Sequence, residues 1–266
     1  MIGPRLRNHL RSFAKKVPLS FREKFADLIA LDQGFEDFFA RANYNSDGLI
    51  TFHNIDCLSS PEFLSAYKAG EALGSWKGAD IRWRAYICSW FSRHCMSLDG
   101  DFVECGVNKG GMALTNIKYS NIDKSSKQYY LFDTYDGLHE NLFTKEEKEI
   151  GVQPGRYESC FEQVLSTFKE YSNVVLVKGE VPETLSQVSI DQVAYLSIDM
   201  NCVVPEIEAL QFFWDKLVLG AVVVLDDYGW PNHYLQKKAF DSFAVSKNIR
   251  ICQLPTGQGL IIKSTN

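Results

Sequence analysis

Three aspartates follow two apolar segments that have the composition of buried strands. Asp199 ends the run that begins at Ala194, and Asp226 and Asp227 follow the run that begins at Ala221. If these runs are neighbouring parallel strands, about 4.8 Å apart, the three carboxylates meet at one edge of a sheet. Such a group repels itself unless protons or a cation intervene, and oxygen ligands suit Mg²⁺, Ca²⁺ or Mn²⁺. A divalent-metal site is therefore predicted, whereas a single aspartate there would be read as a helix cap.

A glycine-rich turn follows an earlier apolar run, residues 102–105, and leads into a helical pattern. Its glycines are Gly106, Gly110 and Gly111. Glycine lets the backbone turn tightly and approach a ligand closely, and ligands of open α/β sheets bind beyond the carboxyl ends of the strands. A P-loop would need Lys-Ser/Thr where Met112 and Ala113 stand, and a dinucleotide fingerprint would need a glycine at Asn108. The turn therefore indicates a cofactor without phosphates.

Acidic residues beside this turn indicate which cofactor it binds. Glu104 would repel a pyrophosphate but attract the ammonium or sulfonium group of S-adenosylmethionine, and Asp133, at the next strand end, could accept from ribose hydroxyls. Alternatively, Glu104 is an ordinary turn acid and Asp133 a helix cap; the two at successive strand ends favour the cofactor. The residues predicted to contact it are Glu104, Cys105, Gly106, Gly110, Gly111, Asp133, Thr134, Gly179 and Glu180.

These side chains require a sheet to position them. From Asp99 onward, apolar runs alternate with amphipathic stretches, which is typical of βαβ units. The predicted strands are 102–106, 128–133, 174–178, 194–199 and 221–226, and the predicted helices 111–119, 157–168, 205–217 and 233–247. A final hairpin is predicted from 249–254 and 259–263. We expect the Rossmann-like class I methyltransferase fold, a mostly parallel seven-stranded α/β sheet with a C-terminal antiparallel hairpin.

Residues 1–98 have helical patterning, with apolar residues at helical spacing in 23–42, 61–70 and 81–98. We expect them to form a helical lid that shapes acceptor choice, with residues 99–266 as the cofactor-binding domain. Residues 1–16 carry five basic and no acidic side chains. They predict an amphipathic helix that docks on the body, on a second subunit of a homodimer, or on an anionic membrane surface.

Composition indicates the class of protein and the cellular compartment in which it works. A net charge of −5 argues against a general nucleic-acid binder. Seven scattered cysteines without a Cys-x-x-Cys pair indicate reduced thiols in a cytoplasmic protein. No apolar run approaches the roughly 20 residues of a transmembrane helix, and the basic start lacks the apolar segment of a signal peptide.

Four motifs, in this order, resemble the macrocin-type sugar O-methyltransferases of macrolide and aminocoumarin biosynthesis, and the likeness runs from about residue 51 to 263. The motifs lie at 100–107, 130–137, 196–200 and 225–229. The resemblance implies S-adenosylmethionine, Mg²⁺ and a sugar-containing small molecule or glycan as acceptor. It implies Asp199, Asp226 and Asp227 as metal ligands, and Glu104, Gly106 and Asp133 as cofactor contacts.

One departure from the family bears on the proton acceptor. Antibiotic-sugar members carry a second acid two residues after the first metal ligand, and this chain has Asn201. Asn cannot accept the proton, so Asp199, bound water or His233 would serve, or metal activation alone; we take Asp199 and His233 as the catalytic candidates. The alternatives are a non-catalytic S-adenosylmethionine-binding module, an NAD-linked oxidoreductase and a catechol-type O-methyltransferase.

Overall fold

A computed structural model describes residues 39–264 and divides the chain into two compact units, Met1–Ile55 and Asp56–Asn266. In the first unit, β1 (Tyr44–Ser46) and β2 (Leu49–Thr51) form an antiparallel hairpin, so the described part of the predicted lid is not wholly helical. The predicted basic helix at 1–16 and most of that at 23–42 lie outside the described residues. Across residues 39–264, no helix is long and apolar enough to cross a bilayer.

The second unit is built around a seven-stranded sheet with the order β5-β4-β3-β6-β7-β9-β8. Strands β3 to β7 pair in parallel, and β9 and β8 close one edge as an antiparallel pair. The strands are β3 (Asp101–Cys105), β4 (Tyr129–Asp133), β5 (Val174–Lys178), β6 (Val193–Ile198), β7 (Leu217–Leu225), β8 (Cys252–Gln253) and β9 (Gly259–Ile262). The predicted class I methyltransferase fold is confirmed.

Helices cover both faces of this sheet. In chain order they are α1 (Asp56–Ser59), α2 (Pro61–Glu71), α3 (Arg82–Cys95), α4 (Gly111–Ser120), α5 (Lys145–Glu149), α6 (Phe161–Phe168), α7 (Val203–Trp214) and α8 (Tyr234–Ser246). One apolar core contains side chains of α7 and α8, such as Phe213 and Phe240. The other contains side chains of α3, α4 and α6, such as Ile117 and Val164. Every residue of β6 is buried, as expected for a strand covered on both sides.

Local signals explain where several helices begin. Pro61 occupies the first turn of α2, where its missing N–H is not needed, and Ser60 Oγ accepts from Phe63 N at 3.4 Å. Thr144 and Glu147 form a reciprocal capping box at the start of α5. Helix α5 has only five residues, and its capping pair is the sequence signal that our prediction overlooked.

Several predicted boundaries differ from the structure, among them those of one helix, one strand and the final hairpin. Helix α6 begins at Phe161 and not at 157, because the preceding loop is tied to the loop after β4 by Cys160 N donating to Tyr135 O at 2.9 Å. Strand β7 begins at Leu217, which pairs with Val193, although apolar spacing had assigned Leu217 to a helix. In the final hairpin, only Cys252–Gln253 of the predicted 249–254 is a strand.

Residues 56–98, which the sequence analysis assigned to the lid, lie in the same compact unit as the sheet. Helix α2 packs so closely on α4 that a Cβ at Gly70 would lie 2.3 Å from Gly111 O. Ser89 and Ser92 of α3 make buried hydrogen bonds to Asn116 and Ser120 of α4. These helices therefore form one wall of the domain that holds the candidate site.

Candidate active site

The site lies where the strand order reverses, between β3 and β6, the position at which open α/β sheets bind ligands. Gly106, directly after β3, has φ +92°, and a Cβ there would lie 1.8 Å from Asp199 O. The backbone also joins the two strand ends, since Asp199 N donates to Cys105 O at 2.8 Å. Only glycine fits this position, and the glycine turn and Asp199 are in direct contact.

Asp199, Asp226 and Asp227, which we call the acid centre, converge beyond the ends of β6 and β7. Each offers a carboxylate oxygen, and these oxygens all lie within 4.8 Å of one another. Burial and the charges of Asp226 and Asp227 raise the pKa of Asp199 well above its ordinary value. The structure thus brings together the three residues predicted as metal ligands. Three carboxylates with mutual repulsion are a donor set that fits a hard divalent cation.

Two residues that the sequence analysis did not place in the site hold Asp226. Arg84 Nη1, from α3, donates to Asp226 Oδ2 at 2.5 Å, and Gln258 Nε2 donates to Asp226 Oδ1 at 3.1 Å. Gln258 lies in the turn between β8 and β9 and is fully buried. Both contacts join distant parts of the chain, and neither residue type has a spacing that marks it as part of the site.

Asn201 connects the acid centre to the loop before α6. Its Nδ2 donates to Asp199 Oδ1 at 3.0 Å, while its Oδ1 accepts from Arg156 Nη1 and from Tyr157 Oη, each at 3.2 Å. Burial and the charge of Asp199 raise the pKa of Tyr157 above its ordinary value. The position that distinguishes this chain from antibiotic-sugar members is therefore occupied by an amide that orients Asp199.

His233 lies beside the acid centre, in the short 3₁₀ turn Pro231–His233. Its Nδ1 is 3.4 Å from Asp227 Oδ2 and accepts from Gln236 Nε2 at 2.8 Å, so in the neutral ring Nδ1 is the unprotonated nitrogen and Nε2 carries the hydrogen. Burial, together with the charge of Arg156, lowers the pKa of His233 below its ordinary value of 6.5. The imidazole is therefore neutral near pH 7 and can accept a proton.

Asp133 binds the backbone of the glycine turn. Its Oδ2 accepts from Val107 N at 2.6 Å and from Asn108 N at 2.7 Å, and its Oδ1 accepts from Tyr135 N at 2.6 Å. These bonds fix the turn relative to the end of β4. These donors lie in loops and not in a helix, so the carboxylate that we assign to the ribose holds the backbone around it and is not a helix cap.

Glu104 is buried beneath the turn, with 2% of its surface exposed. Tyr129 Oη donates to Glu104 Oε2 at 2.6 Å. Burial raises the pKa of Glu104 to about 8, although the hydrogen bond from Tyr129 acts in the opposite direction. An acid that is protonated at neutral pH therefore stands at the first strand end.

Three other residues that we predicted as cofactor contacts also take part in packing. The side chain of Cys105 is fully buried in the core, so only its backbone can face a ligand. Gly110 has φ +85°, and a Cβ there would lie 2.5 Å from the Phe168 ring. Gly111 N donates to Ser75 Oγ at 3.0 Å, and a Cβ there would lie 3.2 Å from Gly70 O, so this glycine serves the contact of α4 with α2 and the turn after it.

The remaining predicted contacts lie in loops at the ends of β4 and β5. Thr134 Oγ1 donates to Gly137 O at 2.8 Å. Gly179 has φ +141°, and its N–H donates to Asp133 O at 2.9 Å. Glu180 is hydrogen-bonded to His139 Nδ1 and accepts from Asn141 Nδ2 at 2.8 Å; the His139 contact lowers the pKa of Glu180. These side chains shape the wall around the turn.

Comparison with known proteins places this arrangement among methyltransferases. The family model described as macrocin O-methyltransferase (TylF) matches residues 94–252. Among solved structures, the O-methyltransferase NovP aligns with a TM-score of 0.60 and 18% identity, over 68% of this chain and 80% of that one. The calicheamicin methyltransferase CalS11 aligns with a TM-score of 0.51 and 16% identity, over 98% and 94%.

A further structure of CalS11, described as a TDP-rhamnose 3'-O-methyltransferase, aligns with a TM-score of 0.50 and 17% identity, over 76% of this chain and 95% of that one. At these identities the likeness shows a shared fold. No curated protein sequence matches the chain closely enough to count as a relative.

Proposed function

The chain belongs to the macrocin O-methyltransferase family, and on that premise we propose that it methylates a hydroxyl of a sugar or glycosylated metabolite with the help of a divalent cation. As a member of this family, it is an S-adenosylmethionine-dependent O-methyltransferase. We further propose the acceptor class, the divalent cation, and the residues that bind the cation and accept the proton.

One observation carries the proposal: the glycine turn and the acid centre meet in van der Waals contact at the switch point of the sheet, through Gly106 and Asp199. A donor bound at the turn and an acceptor bound at the acid centre would therefore be neighbours. Methyl transfer needs the acceptor oxygen in line with the sulfonium methyl group, so this proximity supplies the orientation that accelerates the reaction.

The acid centre would hold Mg²⁺ or a similar cation through Asp199, Asp226 and Asp227. When bound, such a cation lowers the pKa of a coordinated hydroxyl and fixes its position. Arg84 and Gln258 hold both oxygens of Asp226, and Asn201 holds Asp199. Gln258 and Asn201 would keep the ligand oxygens in place, as outer hydrogen bonds do at metal sites, whereas the charge of Arg84 would compete with the cation for Asp226.

Two side chains are placed to accept the proton of the acceptor hydroxyl. His233 is neutral near pH 7 and lies beside Asp227. Asp199 is the alternative, since it lies between the glycine turn and the rest of the acid centre. We assign the role to His233, whose unprotonated Nδ1 lies 3.4 Å from Asp227 Oδ2 of the acid centre.

The sugar acceptor is supported by the family match and by the CalS11 structure described as a TDP-rhamnose 3'-O-methyltransferase. Arg156 and Tyr157, beside Asn201, are polar side chains that can donate to ring hydroxyls. Residues 1–98 are proposed to shape acceptor choice, since loops and added segments vary most between enzymes of one fold.

The test is methyl transfer from S-adenosylmethionine with a labelled methyl group to a panel of nucleotide sugars, glycosides and catechols. We expect transfer to a sugar hydroxyl that EDTA abolishes and Mg²⁺ or Mn²⁺ restores. Transfer to catechols alone would indicate a catechol-type enzyme. Cofactor binding without transfer to any acceptor would indicate a binding module. S-adenosylhomocysteine, and not NADH, should raise the Tm.

The substitution Asp226→Ala distinguishes the role of the acid centre in turnover from the role of the glycine turn in cofactor binding. We expect turnover to fall at least 100-fold, while the affinity for S-adenosylhomocysteine stays within a few-fold, because loss of metal assistance removes several kcal/mol of transition-state stabilisation. Asp215→Ala is the matched control, since that carboxylate is 88% exposed and precedes the start of β7, at the opposite end of the strand from Asp226. Unchanged turnover in Asp226→Ala would contradict the metal mechanism.

A further inference from the structure

A buried chain of hydrogen bonds runs from helix α3 to Glu104. Ser89 Oγ donates to Asn116 Oδ1 at 3.1 Å, Asn116 Nδ2 donates to Tyr129 Oη at 3.2 Å, and Tyr129 Oη donates to Glu104 Oε2 at 2.6 Å. The first three residues are fully buried, and Glu104 is 2% exposed. Every bond points toward Glu104, so the chain delivers a donor to one defined carboxyl oxygen.

Burial and the nearby acidic charges oppose the ionisation of Glu104. Tyr129 of β4, Tyr195 of β6, Cys88 of α3 and Cys105 of its own strand surround it, and the charges that reach it most strongly are the acids Asp133 and Asp226. Burial among these groups raises its pKa to about 8. With that value, about nine-tenths of the molecules carry a proton on Glu104 at pH 7.

A buried, protonated carboxyl can ionise when a cation binds beside it, because the cation stabilises the carboxylate. We propose that Glu104 releases its proton to solvent when the cofactor binds and faces the cofactor ammonium as a carboxylate, and that Tyr129, held by Asn116, is the residue that positions it. This inference rests on the proposed function, because it requires S-adenosylmethionine at the glycine turn. Tyr129 acts through its hydrogen bond to Glu104, so it is a positioning residue.

The proton release has a measurable sign. Because the ionised form of Glu104 binds the ammonium, affinity for the cofactor should rise with pH up to about 8 and then level off. S-adenosylhomocysteine carries the same ammonium without the sulfonium, so it serves as the probe. At pH 7, its binding should release about 0.9 protons, the fraction of Glu104 that is protonated.

The experiment is isothermal titration of the full chain with S-adenosylhomocysteine at pH 7, in buffers with different enthalpies of ionisation. The slope of the observed enthalpy against the buffer enthalpy gives the number of protons released. We expect close to one proton for the native chain and none for Glu104→Gln. Tyr130→Phe, on the same strand, is the matched control, because its hydroxyl lies 3.5 Å from Ser189 O and outside the chain of bonds.

Tyr129→Phe tests positioning separately from general damage. Loss of its hydroxyl removes a donor that favours the carboxylate, so the pKa of Glu104 should rise further. Affinity for S-adenosylhomocysteine should fall about fivefold to tenfold at pH 7, and the deficit should shrink severalfold at pH 8.5. A purely structural defect would weaken binding equally at both pH values and would overturn the role of Tyr129.

The outcomes separate this inference from the proposed function. If S-adenosylhomocysteine binds but releases no proton at pH 7, or if Glu104→Gln still releases one, the inference is wrong while the cofactor site stands. If S-adenosylhomocysteine does not bind at any pH between 6 and 9, the proposed function itself fails.

Discussion

Arg84 and Asp226 form an ion pair at 2.5 Å that joins helix α3 to the end of strand β7. Both side chains are largely enclosed, with 18% and 8% of their surfaces exposed. The positive charge of the Arg84 guanidinium therefore neutralises the charge of Asp226 before any metal binds to the acid centre. Breaking a buried pair by removing one partner is costly, because the other charge is left without compensation.

Replacing Arg84 with Met should strengthen the binding of Mn²⁺ to the acid centre. The guanidinium repels a second cation bound to the same carboxylate, so its removal should raise the affinity by about tenfold or more, which is ~1.4 kcal/mol. The Tm without metal should fall, since three carboxylates then face one another unbalanced. Mn²⁺ binding can be followed by electron paramagnetic resonance.

Arg82→Met is the control for this substitution. Arg82 begins the same helix and pairs with Asp80 at 2.7 Å. It should leave Mn²⁺ affinity unchanged. Weaker Mn²⁺ binding in Arg84→Met would mean that the orientation of Asp226 matters more than charge repulsion.

His233→Asn should lower kcat at least 100-fold without a comparable loss of cofactor affinity, because general base catalysis contributes about 10²–10⁴ to rate. The measurement is steady-state methyl transfer together with titration of S-adenosylhomocysteine. His94→Asn should behave like the native chain, since His94 is exposed and stacks on Trp90. A kcat within threefold of the native value would move the base to Asp199 or to bound water.

Asn201→Ala should reduce kcat about tenfold. The substitution removes the donor to Asp199 Oδ1 and the acceptor for Arg156 and Tyr157, and a typical hydrogen bond contributes about 0.5–1.5 kcal/mol. Gln187→Ala removes an exposed amide and should have no effect. If kcat holds and only the acceptor KM rises, Asn201 serves substrate binding and not the orientation of Asp199.

Residues at strand ends could be predicted from the sequence because position along a strand determines position at the sheet edge. The apolar runs before Asp199 and Asp226 located two of the acids, and the structure brings them together with Asp227. The glycine turn was located in the same way, through Gly106 after β3. Local pattern is enough where the fold itself carries residues to a common edge.

Arg84 and Gln258 could not be predicted, because their contacts depend on how distant segments pack. Arg84 is 142 residues from Asp226 in sequence, and its helix was predicted only from the spacing of its apolar residues. Gln258 was assigned only to a turn, yet it is fully buried against Asp226 and Cys88. Gly111, which we predicted as a cofactor contact, is also required by packing against Ser75, a contact that the sequence did not indicate.

Gly106→Ala should impair both halves of the site at once. A Cβ at this position would lie 1.8 Å from Asp199 O, and the residue has φ +92°. The methyl group must push the end of β3 away from the end of β6, which shifts the glycine turn relative to the acid centre. We expect weaker binding of both S-adenosylhomocysteine and Mn²⁺, each by tenfold or more, and a lower Tm.

Gly151→Ala separates this clash from backbone strain alone. Gly151 has φ +85°, and a Cβ there would meet nothing within 4 Å, so the control carries only the cost of a left-handed alanine, about 1–2 kcal/mol. It should lower the Tm slightly and leave both ligands bound as before. If Gly106→Ala weakened only one ligand, the turn and the acid centre would be independent sites, and the contact between Gly106 and Asp199 would not be what holds donor and acceptor together.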